Sequence, residues 1–347
     1  MTHVPTLTLR PDPEGIAHAA ALLSGGQVVA LPTETVYGLA ADARNALAVA
    51  RVYEAKGRPA FNPLIVHLPD AAAAAGIGVI EGEAARLADA FWPGPLTLVV
   101  TLRPEAGIAS LVTAGLDSVG LRVPAHPLAR AVMQAAGVPL AMPSANASGR
   151  ISPTRAADVL DAAGGLDGRI AAVLDGGACA VGLESTIIGW REGRATLLRP
   201  GGIRAEAVET VLDRRLARPE SAGLPDSPGQ LASHYAPAAA LRLEARDAGP
   251  DETLIGFGPG AARFNLSPSC DLAEAAARLF ETLRAADRLG RPIAVAPVPR
   301  HGLGLAINDR LSRAAAPRPV NPARNPASPG PAAAPRGGAL DSAARSS

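Results

Sequence analysis

Apolar residues along the first two hundred positions alternate between a spacing typical of helices and one typical of strands. Glycine follows several helical stretches, as at Gly25-Gly26 and Gly57, where helices commonly end. This alternation predicts an α/β domain, and three closely spaced strands near its end favour a mixed sheet. Helices are predicted at residues 16–24, 46–55, 83–91, 127–136 and 154–161, and strands at 27–31, 64–68, 96–102, 119–123, 139–142, 170–174, 185–189 and 195–198.

The rest of the chain has a different organisation. Residues 205–217 are predicted to form a helix, and a stretch rich in proline, glycine and serine follows it. A smaller α/β pattern comes next, with strands at 253–257 and 293–297 and helices at 272–289 and 303–315. We therefore expect an α/β domain at residues 1–204, a helix and linker at 205–240, a small α/β domain at 241–315 and a disordered tail at 316–347.

Composition and charge exclude several classes of protein. Of 347 residues 48% are hydrophobic, which is enough to bury a core, and a net charge of +1 argues against a binder of bulk polyanions. Cys179 and Cys270 lie far apart and outside any CxxC pair, so neither a disulfide framework nor a structural zinc site is predicted. Residues 2–15 do not resemble a signal peptide, and the apolar runs are too short to span a bilayer. We expect a soluble, cytoplasmic protein.

Lys56 is the only lysine among 33 basic residues. In a chain that uses arginine everywhere else, a retained ammonium group indicates a position where the two cations are not interchangeable. Arg58 and Asn62 lie in the same loop, which Pro59 and Pro63 stiffen. Such a loop is suited to binding phosphate oxygens, although cations at a helix end also stabilise the helix dipole. The sequence contains no GxxxxGK[ST] loop, so any nucleotide is bound in another way.

Polar residues also follow several of the predicted strands. Thr33-Glu34-Thr35 follows the first strand, and Ser144 and Asn146 follow the strand at 139–142. Loops at strand ends of α/β sheets are where ligands usually bind, but the same residue types are common in ordinary turns. His67 lies within an apolar strand, where a histidine is more often a core residue than a functional one.

In order along the chain, the segments PTETVYGL, KGRP, NPLIVH, WPGPLT, GLRVP, PSAN, LEST and LRPG resemble the threonylcarbamoyl-AMP synthases, whose catalytic domain is of the YrdC type. The similarity covers residues 22–203, and the cluster of SPG and HYAP resembles the linker of two-domain members, without the basic residue expected between these motifs. The resemblance implies a twisted mixed sheet with a large concave cavity and a small Rossmann-like C-terminal domain. It also implies a nucleotidyltransferase that converts L-threonine, bicarbonate and ATP into threonylcarbamoyl-AMP and pyrophosphate.

The resemblance also implies roles for individual residues. The family's KxR…SxN set, which binds the nucleotide phosphates and forms the expected catalytic group, corresponds to Lys56, Arg58, Ser144 and Asn146. The other expected contacts with ATP are Asn62, Ser118, Ser152, Arg199 and Tyr235; Ser118 stands where a threonine is expected. The expected contacts with threonine are Thr35, His67, Arg122, Met142 and Ser185, with Arg122 as the partner of the amino-acid carboxylate.

The implied chemistry requires no protein nucleophile, because a carbamate formed from threonine and bicarbonate attacks the α-phosphate of ATP. Mg²⁺ is expected to be bound mainly through the phosphates, and no metal ligand is predicted in the protein. The product is expected to pass to a separate tRNA threonylcarbamoyl transferase complex, which modifies adenosine 37 of tRNAs that read ANN codons.

The sequence features argue against two alternative functions. The first is an RNA-binding or ribosome-associated module that uses the same concave surface, against which the small net charge and the three tyrosines argue. The second is a related carbamoyltransferase that activates carbamoyl phosphate. Such enzymes carry an additional metal-binding transferase domain and some carry zinc fingers, for which this chain has neither the length nor the cysteines.

Overall fold

A ten-stranded sheet forms the larger part of the fold in the computed structural model, which describes residues 5–59, 62–218 and 234–317. Along the chain its strands are β1 (Leu7–Leu9), β2 (Val29–Leu31), β3 (Gly38–Asp42), β4 (Ile65–His67), β5 (Leu96–Thr101), β6 (Ser118–Arg122), β7 (Leu140–Ala141), β8 (Ala172–Leu174), β9 (Thr186–Arg191) and β10 (Arg194–Arg199). Their spatial order is β1-β8-β2-β3-β7-β4-β6-β5-β9-β10. Neighbours β1–β8, β2–β8, β4–β6 and β5–β9 are parallel and the others are antiparallel. The prediction of a mixed sheet is confirmed.

A second, four-stranded sheet lies towards the C-terminal end of the described chain. Its strands are β11 (Leu241–Arg242), β12 (Thr253–Gly256), β13 (Phe264–Asn265) and β14 (Ile293–Val295), in the order β11-β14-β12-β13. All three neighbouring pairs are parallel, as in the predicted Rossmann-like arrangement. The helices of the whole fold are α1 (Pro13–Ser24), α2 (Ala46–Lys56), α3 (Ala71–Ala75), α4 (Gly82–Phe91), α5 (Ser110–Thr113), α6 (Pro127–Ala136), α7 (Ala156–Val159), α8 (Ala205–Leu212), α9 (Leu272–Asp287) and α10 (Gly304–Ala315).

Helix α2 shows how local sequence positions the predicted phosphate-binding loop. Asn45 begins the helix, and its side-chain oxygen accepts hydrogen bonds from two backbone N–H groups of the first turn. One face, which includes Val49, is buried in the core. Gly57 ends the helix at a φ of 58°, a left-handed conformation that glycine adopts without strain. Lys56 therefore lies in the last turn and Arg58 lies just beyond it.

One apolar cluster joins the two sheets. Phe280 of α9 and Ile307 of α10 belong to the same buried cluster as Val36, Ile151 and Leu183, which lie in loops of the larger part. Buried apolar contact of this kind stabilises the association of the two parts, because separating them would expose these side chains to water. The smaller sheet and its helices are therefore packed directly onto loops that follow strands of the larger sheet.

Two predicted helices are shorter in the structure. The helix predicted at 205–217 ends at Leu212, because Asp213 adopts a left-handed conformation with a φ of 56°. The helix predicted at 154–161 is reduced to the single turn of α7. The chain turns back after it, since the carbonyl of Asp161 accepts a hydrogen bond from the N–H of Gly165 at 2.7 Å. Both predicted boundaries were wrong.

Several short strands are not predicted from the sequence, among them β1 and β3. Residues 219–233, which form most of the predicted linker, lie outside the described residues, as do residues 318–347 of the predicted disordered tail. The proposed division at residues 204, 240 and 315 therefore stays a prediction.

Two further properties of the described residues bear on the sequence analysis. None of the helices in the described ranges is long and apolar enough to cross a membrane. Cys179 is buried and Cys270 is exposed, and both are free thiols.

Candidate active site

A cavity of about 570 Å³ opens where loops from several strands of the larger sheet meet the chain that follows the linker. Concave sites on which several polar groups converge are typical of sites for small ligands. Nine of the fourteen predicted site residues line it: Thr35, Arg58, His67, Arg122, Met142, Ser144, Ser185, Arg199 and Tyr235. The fold therefore brings to one cavity predicted site residues that are up to two hundred positions apart along the chain.

The sheet topology accounts for this convergence. Strands β4 and β6 are parallel neighbours, and their last residues, His67 and Arg122, are paired in register. Thr35 follows β2, and Arg199 is the last residue of β10. Strand ends in an α/β sheet commonly form the ligand-binding edge, because the loops leaving them are free to carry polar side chains.

Gly38 allows the wall of the cavity to close tightly. It begins β3 and forms an isolated antiparallel bridge with Ser144. A Cβ atom at this position would lie 2.4 Å from Cγ of Met142, a distance that real Cβ atoms essentially never show. Glycine is therefore required here, because any side chain would displace Met142, one of the predicted threonine contacts.

Lys56 lies behind the Ser144–Asn146 loop and not in the cavity wall. Its Nζ donates hydrogen bonds to the backbone carbonyl oxygens of Ser144 at 2.5 Å and Asn146 at 2.6 Å. Burial lowers the pKa of Lys56 well below its usual value, and the nearby Arg58 lowers it further. In this arrangement Nζ of Lys56 fixes the backbone of the loop that carries the predicted phosphate ligands.

Arg58 lines the cavity and is fixed from behind by backbone oxygens. Its Nη2 donates to the carbonyl of Pro63 at 3.1 Å and to that of Asn62 at 3.3 Å. The side-chain amide of Asn62 is buried, and neither of its polar atoms has a hydrogen-bond partner among the described residues. Leaving such atoms unpaired is costly, which makes this amide a candidate partner for a polar ligand, but Asn62 is not in the cavity lining.

Arg122 is held in an ionic contact that the sequence analysis did not identify. Its Nη2 donates to Oε1 of Glu34 at 2.7 Å and to the hydroxyl of Thr35 at 3.0 Å. The other carboxylate oxygen of Glu34 accepts from the N–H of Ala125 at 3.1 Å. The guanidinium is therefore fixed in orientation while part of it still lines the cavity.

His67 is buried and also lines the cavity. Its two interpretations from the sequence, as a core residue and as a contact with threonine, are therefore compatible. Burial lowers the pKa of His67 well below its usual value, and Arg122 lowers it further. The imidazole is therefore neutral at physiological pH. Its Nδ1 lies 3.1 Å from the carbonyl oxygen of Ile65, which can only accept a hydrogen bond, so Nδ1 carries the proton and Nε2 is an acceptor.

Ser185 and Arg199 form a buried polar group on another wall. The Ser185 hydroxyl lies 2.7 Å from that of Thr97, and Nη2 of Arg199 donates to the Ser185 carbonyl at 2.8 Å. Burial lowers the pKa of Arg199 to about 10. Nearby, the Ser152 hydroxyl donates to Oε1 of Glu184 at 2.6 Å. Ser152 is thus adjacent to the cavity but not part of its lining.

The remaining predicted residues are not in the cavity lining. Asn146 is buried, its side-chain nitrogen donating to two nearby backbone carbonyls, while its side-chain oxygen has no partner among the described residues. Ser118, at the start of β6, lines a neighbouring cavity of about 300 Å³. Ile65 borders both cavities. The ATP contact predicted for Ser118 stays a prediction.

Several cavity residues have no role predicted from the sequence. Thr33, Glu184 and His234 line the cavity, although each lies within or beside a motif noted in the sequence. Burial lowers the pKa of His234 to about 3, so this imidazole is neutral at physiological pH. Overall the lining carries three guanidinium groups, whereas its carboxylate, Glu184, is ion-paired with Arg310. Such a lining is suited to an anionic ligand.

Comparisons with known proteins cover most of the chain. Residues 21–201 match the family described as Telomere recombination, and residues 203–316 match the family described as Threonylcarbamoyl-AMP synthase, C-terminal domain. The threonylcarbamoyl-AMP synthase of Bacillus subtilis is 41% identical over 335 residues, covering 89% of this chain and 95% of the relative. The chain belongs to the threonylcarbamoyl-AMP synthase family.

Two further comparisons extend the similarity to the whole fold of this family. The threonylcarbamoyl-AMP synthase of Pyrococcus abyssi is 38% identical, over 90% of this chain and 98% of the relative. A crystal structure of P. abyssi Sua5 complexed with L-threonine has a TM-score of 0.80 and 35% identity, covering 89% of this chain and 97% of that chain. These findings support a synthase over an RNA-binding module, and they support the predicted combination of a YrdC-like and a C-terminal domain.

Proposed function

We propose that the cavity is the place where this chain joins L-threonine, bicarbonate and ATP to form threonylcarbamoyl-AMP and pyrophosphate. The observation that supports this most directly is the convergence of Arg58, Arg122 and Arg199 on one cavity of about 570 Å³. The substrates carry a triphosphate, a carboxylate and a bicarbonate. A site that binds all three needs several fixed cations, and arginine binds phosphate and carboxylate oxygens in pairs.

On this proposal the phosphates of ATP lie near Arg58, Ser144 and Arg199. Lys56 contributes by holding the Ser144–Asn146 loop through two backbone carbonyls. The unpaired amide of Asn62 supplies a donor and an acceptor for the nucleotide. Phosphate binding here thus depends on side chains and a fixed loop instead of a glycine-rich loop.

Threonine is proposed to bind beside the phosphates, where Arg122 contacts its carboxylate. Neutral His67 offers Nε2 as an acceptor for the hydroxyl or amine of the substrate. Thr35 and Ser185 supply hydroxyl groups, and Met142 supplies an apolar contact for the methyl group. This combination of one cation, neutral hydrogen-bonding groups and a thioether is suited to a small amino acid with a hydroxyl.

The proposed reaction has two steps. The amine of threonine adds to bicarbonate with loss of water and gives a carbamate. A carbamate oxygen then forms a bond to the α-phosphorus as the bond to pyrophosphate breaks. The protein contributes by orientation and charge neutralisation, for which effective molarities of about 10⁵ M or more are available. Burial raises the pKa of Cys179 to about 12, so this thiol keeps its proton and is not needed as a nucleophile.

Mg²⁺ is proposed to accompany ATP and to neutralise phosphate charge. Glu34 is paired with Arg122 and Glu184 with Arg310. Within residues 5–59, 62–218 and 234–317 no cluster of three His, Cys, Asp or Glu side chains is placed to bind a metal. On this proposal the ligands of the ion are phosphate oxygens and water, the usual arrangement for Mg²⁺ with nucleotides.

The product is a reactive mixed anhydride that must be consumed by an acyl-transfer reaction. We propose that a separate tRNA threonylcarbamoyl transferase complex in the cytoplasm takes it over and modifies adenosine 37. Exclusion of water from the cavity would slow its hydrolysis before release.

The experiment that tests this function is an incubation of the purified chain with ATP, labelled bicarbonate and threonine. We expect threonine-dependent pyrophosphate release and a labelled adenylate of the mass of threonylcarbamoyl-AMP. Arg58→Ala should abolish both, whereas Arg130→Ala should not, because Arg130 lies on α6 and donates to the carbonyl of Pro69 outside the cavity. Absence of the labelled adenylate with the wild-type chain would contradict the proposal.

A further inference from the structure

Arg310 of the C-terminal helix α10 is fully buried, although it is the bulkiest side chain in the interior and carries a charge. Its Nε donates to Oε2 of Glu184 at 2.8 Å, and its Nη1 donates to the carbonyl of Pro200 at 2.9 Å. The same guanidinium lies 5.3 Å from the centre of the Tyr235 ring. One side chain of the smaller part thus contacts three segments that border the cavity of the larger part.

Glu184 explains why this contact matters. It lines the cavity, and it accepts a hydrogen bond from Ser152, a predicted ATP contact. Burial alone would raise the pKa of Glu184, but Arg310 and Arg199 outweigh that effect and lower it. A carboxylate in the wall of an anion-binding cavity repels the ligand unless a cation compensates it. Arg310 compensates it from behind, outside the cavity lining.

Tyr235 is held by the same helix pair. Its ring stacks on that of Phe280 of α9, with the ring centres 5.6 Å apart. The guanidinium group of Arg310 of α10 also lies over the Tyr235 ring. The backbone N–H of His234 donates to the carbonyl of Arg313 at 3.2 Å. The two cavity residues that follow the linker are therefore positioned by α9 and α10, while the N–H of Ala236 bonds to the carbonyl of Gly149 at 2.9 Å in the larger part.

We propose that Arg310 is a positioning residue for ATP binding, through which the C-terminal domain holds Glu184, Pro200 and Tyr235 in the shape that the nucleotide requires. This inference rests on the proposed function. It gives the C-terminal domain a defined part in the reaction: it completes and neutralises one wall of the cavity, and it does so without touching the reacting atoms.

The test compares steady-state kinetics of three single variants, at a temperature where circular dichroism shows each to be folded. Arg310→Gln should raise KM for ATP by about tenfold or more and KM for threonine by less than about threefold. The reason is that Arg310 contacts Tyr235 directly and Ser152 through Glu184, and both Tyr235 and Ser152 are predicted ATP contacts. The KM for ATP of Arg310→Lys should lie between those of the wild type and Arg310→Gln, because an ammonium group keeps the charge but cannot reach Glu184 and Pro200 together. Arg288→Gln is the matched control: Arg288 also joins the two parts, through Asp161 at 2.9 Å, but contacts no cavity residue.

The double variant Glu184→Gln/Arg310→Gln distinguishes positioning from general destabilisation. Removing both charges leaves Glu184 without a charge to compensate, and Asp309, the other ionic partner of Arg310, keeps its ion pair with Arg313 at 3.0 Å. KM for ATP should therefore be lower than in Arg310→Gln alone. An unchanged KM for ATP in Arg310→Gln and Arg310→Lys would overturn the inference. The inference would also be overturned if Arg310→Lys and Arg288→Gln lost the same amount of activity, in proportion to the fall in their melting temperatures. If the wild-type chain makes no adenylate at all, it is the proposed function that fails.

Discussion

Arg122 is anchored through two of its nitrogens before any substrate binds. Nε donates to the carbonyl of Gly94 at 3.4 Å, and Nη2 contacts both Glu34 and Thr35. The side chain is nearly inaccessible to solvent, at 5%, so its orientation is set by these partners. A guanidinium held in this way loses little conformational entropy when a carboxylate binds, which is the advantage of a preorganised site.

We therefore expect Arg122→Gln to impair threonine binding selectively. A hydrogen bond to a charged group contributes about 1.5–3 kcal/mol, so KM for threonine should rise roughly tenfold to hundredfold while KM for ATP changes little. Steady-state kinetics with each substrate varied in turn measure both values. Arg130→Gln is the control, because that arginine contacts only the backbone of Pro69 among the described hydrogen bonds. A parallel rise in both KM values would remove the assigned role.

Two buried histidines predict a pH dependence of stability. Burial lowers the pKa of His234 to about 3 and that of His67 well below its usual value. Between those values and about 6.5 the unfolded chain binds more protons than the folded chain, so stability rises with pH across this window. His234 contributes a loss of about 1.4 kcal/mol per pH unit as the pH falls from about 6.5 towards 3, and His67 contributes in the same direction.

Unfolding free energies at pH 7 and pH 5 test this expectation. His234→Gln should reduce the loss of stability between the two values by about 2 kcal/mol. His18→Gln is the control, since His18 is exposed on α1. If the His234 variant keeps the full pH dependence, that imidazole titrates normally in the folded state.

At the scale of single elements, the hairpin of β9 and β10 carries avoidable backbone strain. Its two-residue turn consists of Glu192 and Gly193, with φ values of 51° and 70°. Both positive values are typical of a type I′ turn, in which asparagine or glycine is favoured at the first position. Glutamate there adopts a left-handed conformation that costs energy in a residue with a side chain.

Glu192→Asn and Glu192→Gly should therefore stabilise the fold by about 0.5–1 kcal/mol, without changing activity. Thermal and urea unfolding measure the change. Glu192→Ala serves as the control, since alanine retains the unfavourable left-handed conformation and should give no gain. Equal stability of the alanine and asparagine variants would show that the turn is not strained.

The elements that sequence patterns predict are those with a clear periodicity. Helices such as α6 are predicted at their observed bounds, because apolar residues repeat along one face and glycine follows the last turn. Strand β3 is not predicted, because its sequence, GLAAD, is made mostly of small residues and lies buried among other strands. The pattern of a solvent-facing strand is absent from such a segment.

The candidate site was predictable to a similar extent. Residues in recognisable motifs at strand ends, such as Thr35, Ser144 and Ser185, gather at the cavity. Lys56 was notable as the only lysine, but no sequence pattern shows that it binds the backbone of a loop about ninety residues away. Arg310 gave no signal at all, because its importance comes from packing between distant segments.

At the scale of the whole molecule, the two sheets share one structural unit. Arg284 of α9 donates to the carbonyl of Ile151 at 3.1 Å and forms an ion pair with Asp158 at 3.1 Å. The apolar cluster around Phe280 and Leu183 spans the same boundary. Contacts of both kinds disappear together if the parts separate.

The described chain should therefore unfold in a single cooperative transition. Calorimetry should give equal calorimetric and van't Hoff enthalpies, the usual test of two-state behaviour. Arg284→Met is expected to lower the melting temperature, because it leaves Asp158 without its buried cation. Two separate transitions in the wild-type chain would show that the smaller sheet folds independently and does not support the cavity.

The most direct test of the whole account is the position of bound substrates in a crystal structure with L-threonine and a non-hydrolysable ATP analogue. The account predicts the triphosphate between Arg58, Ser144 and Arg199, and the amino-acid carboxylate on Arg122. Tyr235 and Glu184 should border the nucleotide, with Arg310 behind them. A nucleotide bound elsewhere, or a threonine carboxylate remote from Arg122, would contradict it.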